Sequence, residues 1–407
     1  MSRLGLLASH AVYRALWSAR TISFLGDTLA TVALVLYVSQ IEGDATAVGF
    51  LLLAQSLPRL LGPFAGTLVD RTDQRRLMLI CEVAQALLMG TIALFLPPFP
   101  ILLGLVALAA FFATLFSPAG RSALPTLVAP DDVPAANALL GSGLNLSLAL
   151  GPVLGGVLIV VIGVQGVLLF NAVSFILSAL LLRQLPPLPP VPSTEERTGV
   201  LKSTWEGVTY LAQQPTARAV ALGLFLVVTF AALDNVALVF LAQESLGTDA
   251  AGFGLLSSAY GVGMILFPLL LLRWSGRFAP SMMLLFSILL MGAGTLLTGL
   301  APTVALALAA QLLAGSGNGL ENVSNDTLIQ RTVPRHMLGR LFGLIYSGAA
   351  LAANLAYAAG GPLLELTSPR MVFLISGSGV LLTLVVVWML LPRSSEQPEE
   401  IPVLAGA

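Results

Sequence analysis

The chain has 407 residues, 57% of them hydrophobic and 10% charged, with a formal net charge of −1. Its mean hydropathy is +0.93, whereas a soluble domain carries about 25% charged residues, so its main solvent is lipid and no global electrostatic case exists for a nucleic-acid partner. One cysteine, Cys81, excludes an intrachain disulfide, and with only His10 and His336 beside it the usual His/Cys metal sites cannot be built.

Twelve runs of about 20 mostly apolar residues follow one another, each long enough to cross a bilayer as a helix. They are expected at 17–39, 47–69, 77–96, 101–120, 138–161 and 165–185, then at 219–241, 251–273, 281–300, 304–327, 340–364 and 369–391. The first run contains Asp27 and lacks a convincing cleavage site, so it does not read as a signal peptide. The second six spans repeat the first: Gly49, Pro63 and Gly155-Gly156 recur as Gly254, Pro268 and Gly360-Gly361, each 205 positions later. The fold class is therefore an all-α membrane protein of twelve transmembrane helices in two six-helix bundles related by an internal repeat.

Basic residues set the orientation. With the N-terminus in the cytoplasm, 17 of the 19 Lys and Arg fall inside, from Arg3, Arg14 and Arg20 through Arg71, Arg75 and Arg76 to Arg393; Arg370 lies outside and Arg59 within a span. The outer loops hold Glu42, Asp44, Glu244, Asp249 and Glu365. This divides the chain into a first bundle (1–185), a linker (186–217), a second bundle (218–392) and a tail (393–407) expected to be disordered. The linker opens Pro-rich, and Trp205, Val208 and Leu211/Ala212 then share one helical face opposite Lys202, Glu206 and Gln213. A short helix lying on the cytoplasmic surface fits this pattern; the alternative is a poorly ordered linker.

The loop after the second span reads Gly66-Thr-Leu-Val-Asp70-Arg71-Thr-Asp73-Gln-Arg75-Arg76. A carboxylate among arginines between two helix ends suits charge pairing across a domain boundary. It resembles the major facilitator superfamily signature G-x-x-x-D-R-x-G-R-R, matched by Gly66, Asp70, Arg71 and Arg75. Asp73 stands where that family has Gly and Gln74 replaces a basic residue, similar to an exporter branch that includes macrolide-efflux and enterobactin-exporter-like proteins. The fifth span carries Ala138, Ser147, Gly151, Pro152, Gly155 and Gly156, small residues that permit close helix approach around a proline. This is similar to the antiporter motif of the same superfamily, although ordinary close packing would use the same residues. The resemblance implies the major facilitator fold and a cavity lined by spans 1, 4, 7 and 10. Gly66, Asp70, Arg71, Arg75, Gly151, Pro152, Gly155 and Gly156 would serve in conformational gating.

Ionisable residues inside spans are costly, about 2.5–3.5 kcal/mol at mid-bilayer, and face a cavity or a partner. Here they are Asp27, Arg59, Glu82, Asp234, Glu321 and Asp326. Asp27 and Arg59 reach similar depth on antiparallel spans, so an ion pair is expected, either as a switchable proton site or as a static pair. Glu82 reads as structural, near Arg75 and Arg76. Asn318, Glu321, Asn322, Asn325 and Asp326 form one stripe of span 10; Glu321 and Asp326 could instead pair with Arg331, Arg335 or Arg340. Proton coupling is assigned to Asp27, Arg59, Asp234 and Glu321. The substrate cavity is assigned to Thr31, Phe24, Phe111, Asn235, Asn318, Asn322, Asn325 and Tyr357.

The expected function is secondary active transport: a proton-coupled exporter of amphipathic or lipophilic molecules in the bacterial inner membrane, monomeric, with both termini cytoplasmic. A dedicated metabolite or siderophore exporter, and an ion-independent facilitator or lipid-translocating protein, are the alternatives. No cofactor is expected, and no nucleotide-binding or His-based catalytic motif suggests an enzyme.

Overall fold

The computed structural model describes residues 10–69, 71–129, 132–189, 200–271 and 279–392. Among these residues every regular element is helical. Span 1 is Ala11–Ile41, span 3 Gln74–Phe95, span 4 Phe99–Leu127, span 7 Pro215–Phe240 and span 8 Ala250–Leu271. Spans 9 to 12 are Pro280–Leu300, Val304–Thr332, Arg335–Leu366 and Pro369–Leu390.

Nine described helices are long and apolar enough to cross a membrane, and the difference from twelve has three local causes. Spans 5 and 6 run together as Val133–Leu182, turning only at Gly163, whose φ of 71° suits a residue without a side chain. Span 2 is broken into Ala45–Ser56, a 3-10 stretch Leu57–Leu61 and Gly62–Val69; Pro58 lacks the N–H that a continuous helix needs. Span 10 is too polar, because it carries the expected stripe.

We call the end bearing residue 10, the linker helix and residue 392 proximal, and the opposite end distal. One apolar core fills the distal half and joins both bundles, from Leu29, Val48 and Leu51 to Val236, Leu256 and Phe373. The proximal half instead has two separate cores. One, around Tyr13, Leu16, Met78 and Phe116, belongs to spans 1–6 and the stretch leading into the linker; the other, around Val220, Ile288, Leu341 and Val387, belongs to spans 7 and 9–12. The molecule is thus one body distally and two proximally.

The linker helix, Val200–Gln213, packs at the proximal end against spans 7 and 11. Trp205 is 71% exposed, as a membrane-surface anchor requires, while Tyr210 and Leu211 rest on the second proximal core. Glu206 does not simply face water: it pairs with Arg340 of span 11 at 2.6 Å. The Pro-rich stretch 190–199 and the tail 393–407 lie outside the described residues.

Candidate transport path

The two bundles meet distally along two seams, span 2 with span 11 and span 5 with span 8. Both seams are made where a side chain is missing. A Cβ on Gly49 would strike the carbonyl of Tyr357, and one on Gly361 the backbone of Thr46; Gly156 and Gly254 stand likewise against Ala250 and Pro152. Of the expected small residues of span 5, Gly151 and Gly155 adjoin Thr28, Leu29 and Val32 of span 1, whereas Gly156 and the Pro152 carbonyl face span 8. Ser258 of span 8 accepts the Val153 N–H at 2.8 Å, a bond between bundles. In the proximal halves of spans 5 and 11 the glycines Gly141, Gly339, Gly343 and Gly348 have no neighbour within 4 Å of a Cβ position. The rim of the first seam is polar. Asp44 N-caps span 2 through the Thr46 N–H at 2.6 Å, and Thr46 Oγ1 donates to Glu365 of span 11, also at 2.6 Å. Contact with Glu365, then burial, holds the Asp44 carboxyl above the usual carboxylate range.

The intramembrane charges gather where the common distal core divides into the two proximal ones. Asp27 is half-buried and its Oδ1 accepts from Asn171 Nδ2 of span 6 at 3.5 Å. The expected ion pair with Arg59 is not formed. Arg59 sits in the 3-10 break, which turns its side chain outward; it is exposed, within electrostatic reach of Asp27 and Tyr357. In the second bundle Asp234 is half-buried and Asn235 exposed, and Tyr260 lies within electrostatic reach of Asp234, Glu321 and Tyr357. Glu321 is 1% exposed and bonded to Asn325 at 3.5 Å, while Asn322 is exposed and donates to Asn318 at 3.3 Å. The stripe therefore divides, Glu321 and Asn325 buried in protein, Asn318 half-buried and Asn322 exposed.

Other expected partners differ. Asp326 accepts from the Tyr346 hydroxyl at 2.8 Å instead of meeting an arginine, since Arg340 is taken by Glu206. Glu82 is fully buried two turns into span 3 and accepts from Ser23 and Ser178, away from Arg75 and Arg76. Arg20, expected among the loop cations, is 4% exposed inside the first bundle, its guanidinium 5.1 Å from the Phe24 ring and 5.5 Å from Phe116. Phe24 is thus a cation–π partner. Phe111 stacks edge-on to Phe112 at 5.7 Å beside the first proximal core, and the Thr31 hydroxyl bonds the Asp27 carbonyl within its own helix.

At the proximal loop Asp70 lies outside the described residues. Gly66 falls in the helix Gly62–Val69 and Arg71 is exposed. Asp73, the departure from the signature, N-caps span 3 at Arg76 N (2.8 Å) and accepts the Leu188 N–H at 3.1 Å; Arg75 donates to the Arg183 carbonyl at 2.6 Å. The loop is therefore fastened to the exit of span 6. No group of three or more His, Cys, Asp or Glu residues that could hold a metal occurs among the described residues.

Comparison with known proteins agrees with this architecture. The family described as "Transmembrane secretion effector" matches residues 5–403. The MFS-type transporter YfiS of Bacillus subtilis (strain 168) is 30% identical over 89% of this chain and 89% of its own length. The enterobactin exporter EntS of Citrobacter koseri is 28% identical, covering 98% and 97% of the two chains. Among solved structures, the nucleoside transporter NupG superposes with a TM-score of 0.76 at 13% identity over 94% of this chain and all of its own. An auto-inhibited POT family peptide transporter gives 0.76 at 11% identity over 96% and 98%. The chain belongs to the transmembrane secretion effector family of the major facilitator superfamily and is a multi-pass membrane transporter.

Proposed function

We propose that the protein is a proton-coupled exporter of amphipathic or lipophilic small molecules, working by alternating access across the bacterial inner membrane with both termini in the cytoplasm. The observation that carries this reading is the placement of Asp27, Asp234 and Glu321 where one distal core becomes two proximal ones. A carboxylate there changes surroundings whenever the bundles rock about the glycine seams, and its charge depends on what shares the gap. Proton drive is adequate, about 2.3 kcal/mol per charge per 100 mV. One chain holds both bundles, which supports the monomer as the transporting unit.

The EntS relatives favour a second reading, export of one dedicated metabolite of siderophore type. Both readings are tested by proton release from purified protein in detergent as lipophilic cations, macrolides and catecholate compounds are added, with Asp27→Asn as control. Release that depends on the compound and vanishes in the variant supports antiport, and its breadth separates a multidrug from a dedicated exporter. Binding without release in either protein overturns proton coupling in favour of an ion-independent facilitator or lipid translocator.

A further inference from the structure

The path described above does not use Glu82. It is 0% exposed inside the first bundle. A carboxylate so placed stays ionised only if a cation or several donors compensate its lost hydration. Its hydrogen-bond partners are two hydroxyls, Ser23 Oγ at 2.9 and 3.1 Å and Ser178 Oγ at 2.8 Å. Among the described residues no cationic side chain forms an ion pair with it.

The charged and titratable groups around it are few. Span 1 presents Arg20 on the proximal side and Asp27 on the distal side, and Cys81 adjoins it on its own helix. Span 6 presents Ser178, which does not titrate, and Arg121 of span 4 acts on Arg20 from beyond it. Arg20 is engaged elsewhere. Its Nη1 donates to the Ser117 carbonyl at 3.3 Å, its plane lies by two phenylalanines, and its Nε has no partner. A serine hydroxyl rotates to donate to a carboxylate or to accept from a carboxylic acid, so the shell around Glu82 suits both states.

Glu82 is also close to the path. Its partner Ser23 is one helical turn from Asp27 on span 1, a spacing of about 5–6 Å. Between them Gly26 leaves the room that Asn171 and Ser174 fill, and Asn171 is the partner of Asp27. The Asp27 and Glu82 carboxylates act on one another electrostatically, and two such like charges away from bulk water ionise in sequence and not together.

We propose that Glu82 is a second proton-holding group, coupled through space to Asp27, so that the pair keeps one proton while Asp27 exchanges its own with the path. The step is Asp27-COOH with Glu82-COOH going to Asp27-COO⁻ with Glu82-COOH, one proton passing to the path and no other bond changed. This rests on the proton-coupled reading of Asp27 for its use in transport, though not for its titration.

The test is an infrared pH titration of the purified full-length protein without substrate, following the carbonyl band of buried protonated carboxyl groups. Asp234→Asn/Glu321→Gln/Asp326→Asn serves as the background, so that the intramembrane carboxyls of the second bundle are silent. Two steps are expected. Glu82→Gln, which keeps the shape and both serine contacts, should leave one, at least about one pH unit below the upper step of its parent. Ser178→Ala, which removes one donor to the ionised form and leaves the carboxyl in place, should raise the Glu82 step, and decides the matter if the glutamine variant does not fold. A remaining step that coincides with the upper step of the parent, or a Glu82 that is ionised throughout, overturns the proposal. If the pair titrates as described while export ignores a pH gradient, the proton-coupling reading falls and the coupled pair stands.

Discussion

Gly254→Ala adds one methyl group at a backbone contact between the two bundles. The new Cβ would fall on the carbonyl oxygen of Pro152, with Gly156 Cα and the Pro152 carbonyl carbon 3.2 Å away. All three are backbone atoms of the opposite bundle, which cannot rotate aside. Overpacking of this kind costs about 1–3 kcal/mol, and here it falls only on the state in which spans 5 and 8 are closed together. The ratio of distally closed to distally open molecules should drop by about 5- to 150-fold. Cys81 is buried and is the only cysteine, so spin labels at introduced Glu42→Cys and Thr367→Cys report the opening of the distal rim without removal of the native thiol. A longer distance component should appear in the variant. Gly104→Ala, a site with nothing within 4 Å of its Cβ, should leave the distances unchanged. An unaltered distance distribution in both Gly254→Ala and Gly361→Ala would refute the view that the glycine seams hold the distal face closed.

Three further outcomes follow from the same geometry. The contact between Asp44 and Glu365 in the closed rim raises the Asp44 carboxyl and lowers that of Glu365, so closure is most favoured while the pair holds one proton and weakens as pH rises through the raised Asp44 value; the label distances should lengthen on alkalinisation in wild type and lose this dependence in Glu365→Gln. Asp73→Ala removes the N-cap of span 3 and the Leu188 contact, and should lower stability by about 0.5–2 kcal/mol, read as a fall in Tm, with faster exchange of the Leu188 amide. Glu206→Ala and Arg340→Ala should each speed amide exchange in Val200–Gln213, with a double-mutant coupling of about 0–1 kcal/mol for a pair that is 35% and 38% exposed. A coupling of several kcal/mol would refute the view that this partly exposed pair only assists the packing of Tyr210 and Leu211.

Apolar run length and the 205-residue offset carried nearly all of the architecture, because a lipid-facing helix needs an uninterrupted apolar surface that a sequence displays openly. The stripe on span 10 was legible for the same reason: helical spacing is local. Partner choice was not. Asn171 reaches Asp27 and Ser178 reaches Glu82 from span 6, 144 and 96 residues away in the chain, and both are uncharged residues that nothing in composition singles out. Arg20 was misplaced because an arginine near the end of an apolar run has the reach to snorkel to the surface, and only the folded bundle decides that it turns inward beside Gly120. Arg59 missed its expected partner through a break at Pro58, where rise-per-residue reasoning assumed an unbroken helix. The Gly-to-Asp departure at Asp73, unexplained by the signature, became intelligible once Leu188 was seen to end beside it.

The distal seams consist largely of main-chain atoms facing glycines. Main-chain contacts are blind to the chemistry of neighbouring side chains, so under the proposed mechanism the residues that meet cargo and the surfaces that rock would be written in different letters of the same helices. On the proposed path, positions such as Asn235, Asn318 and Asn322 would be free to change with the compound to be moved, while a side chain at Gly49, Gly156, Gly254 or Gly361 would strike backbone of the other bundle. Divergence in cargo among relatives with this fold therefore needs no redesign of the hinge.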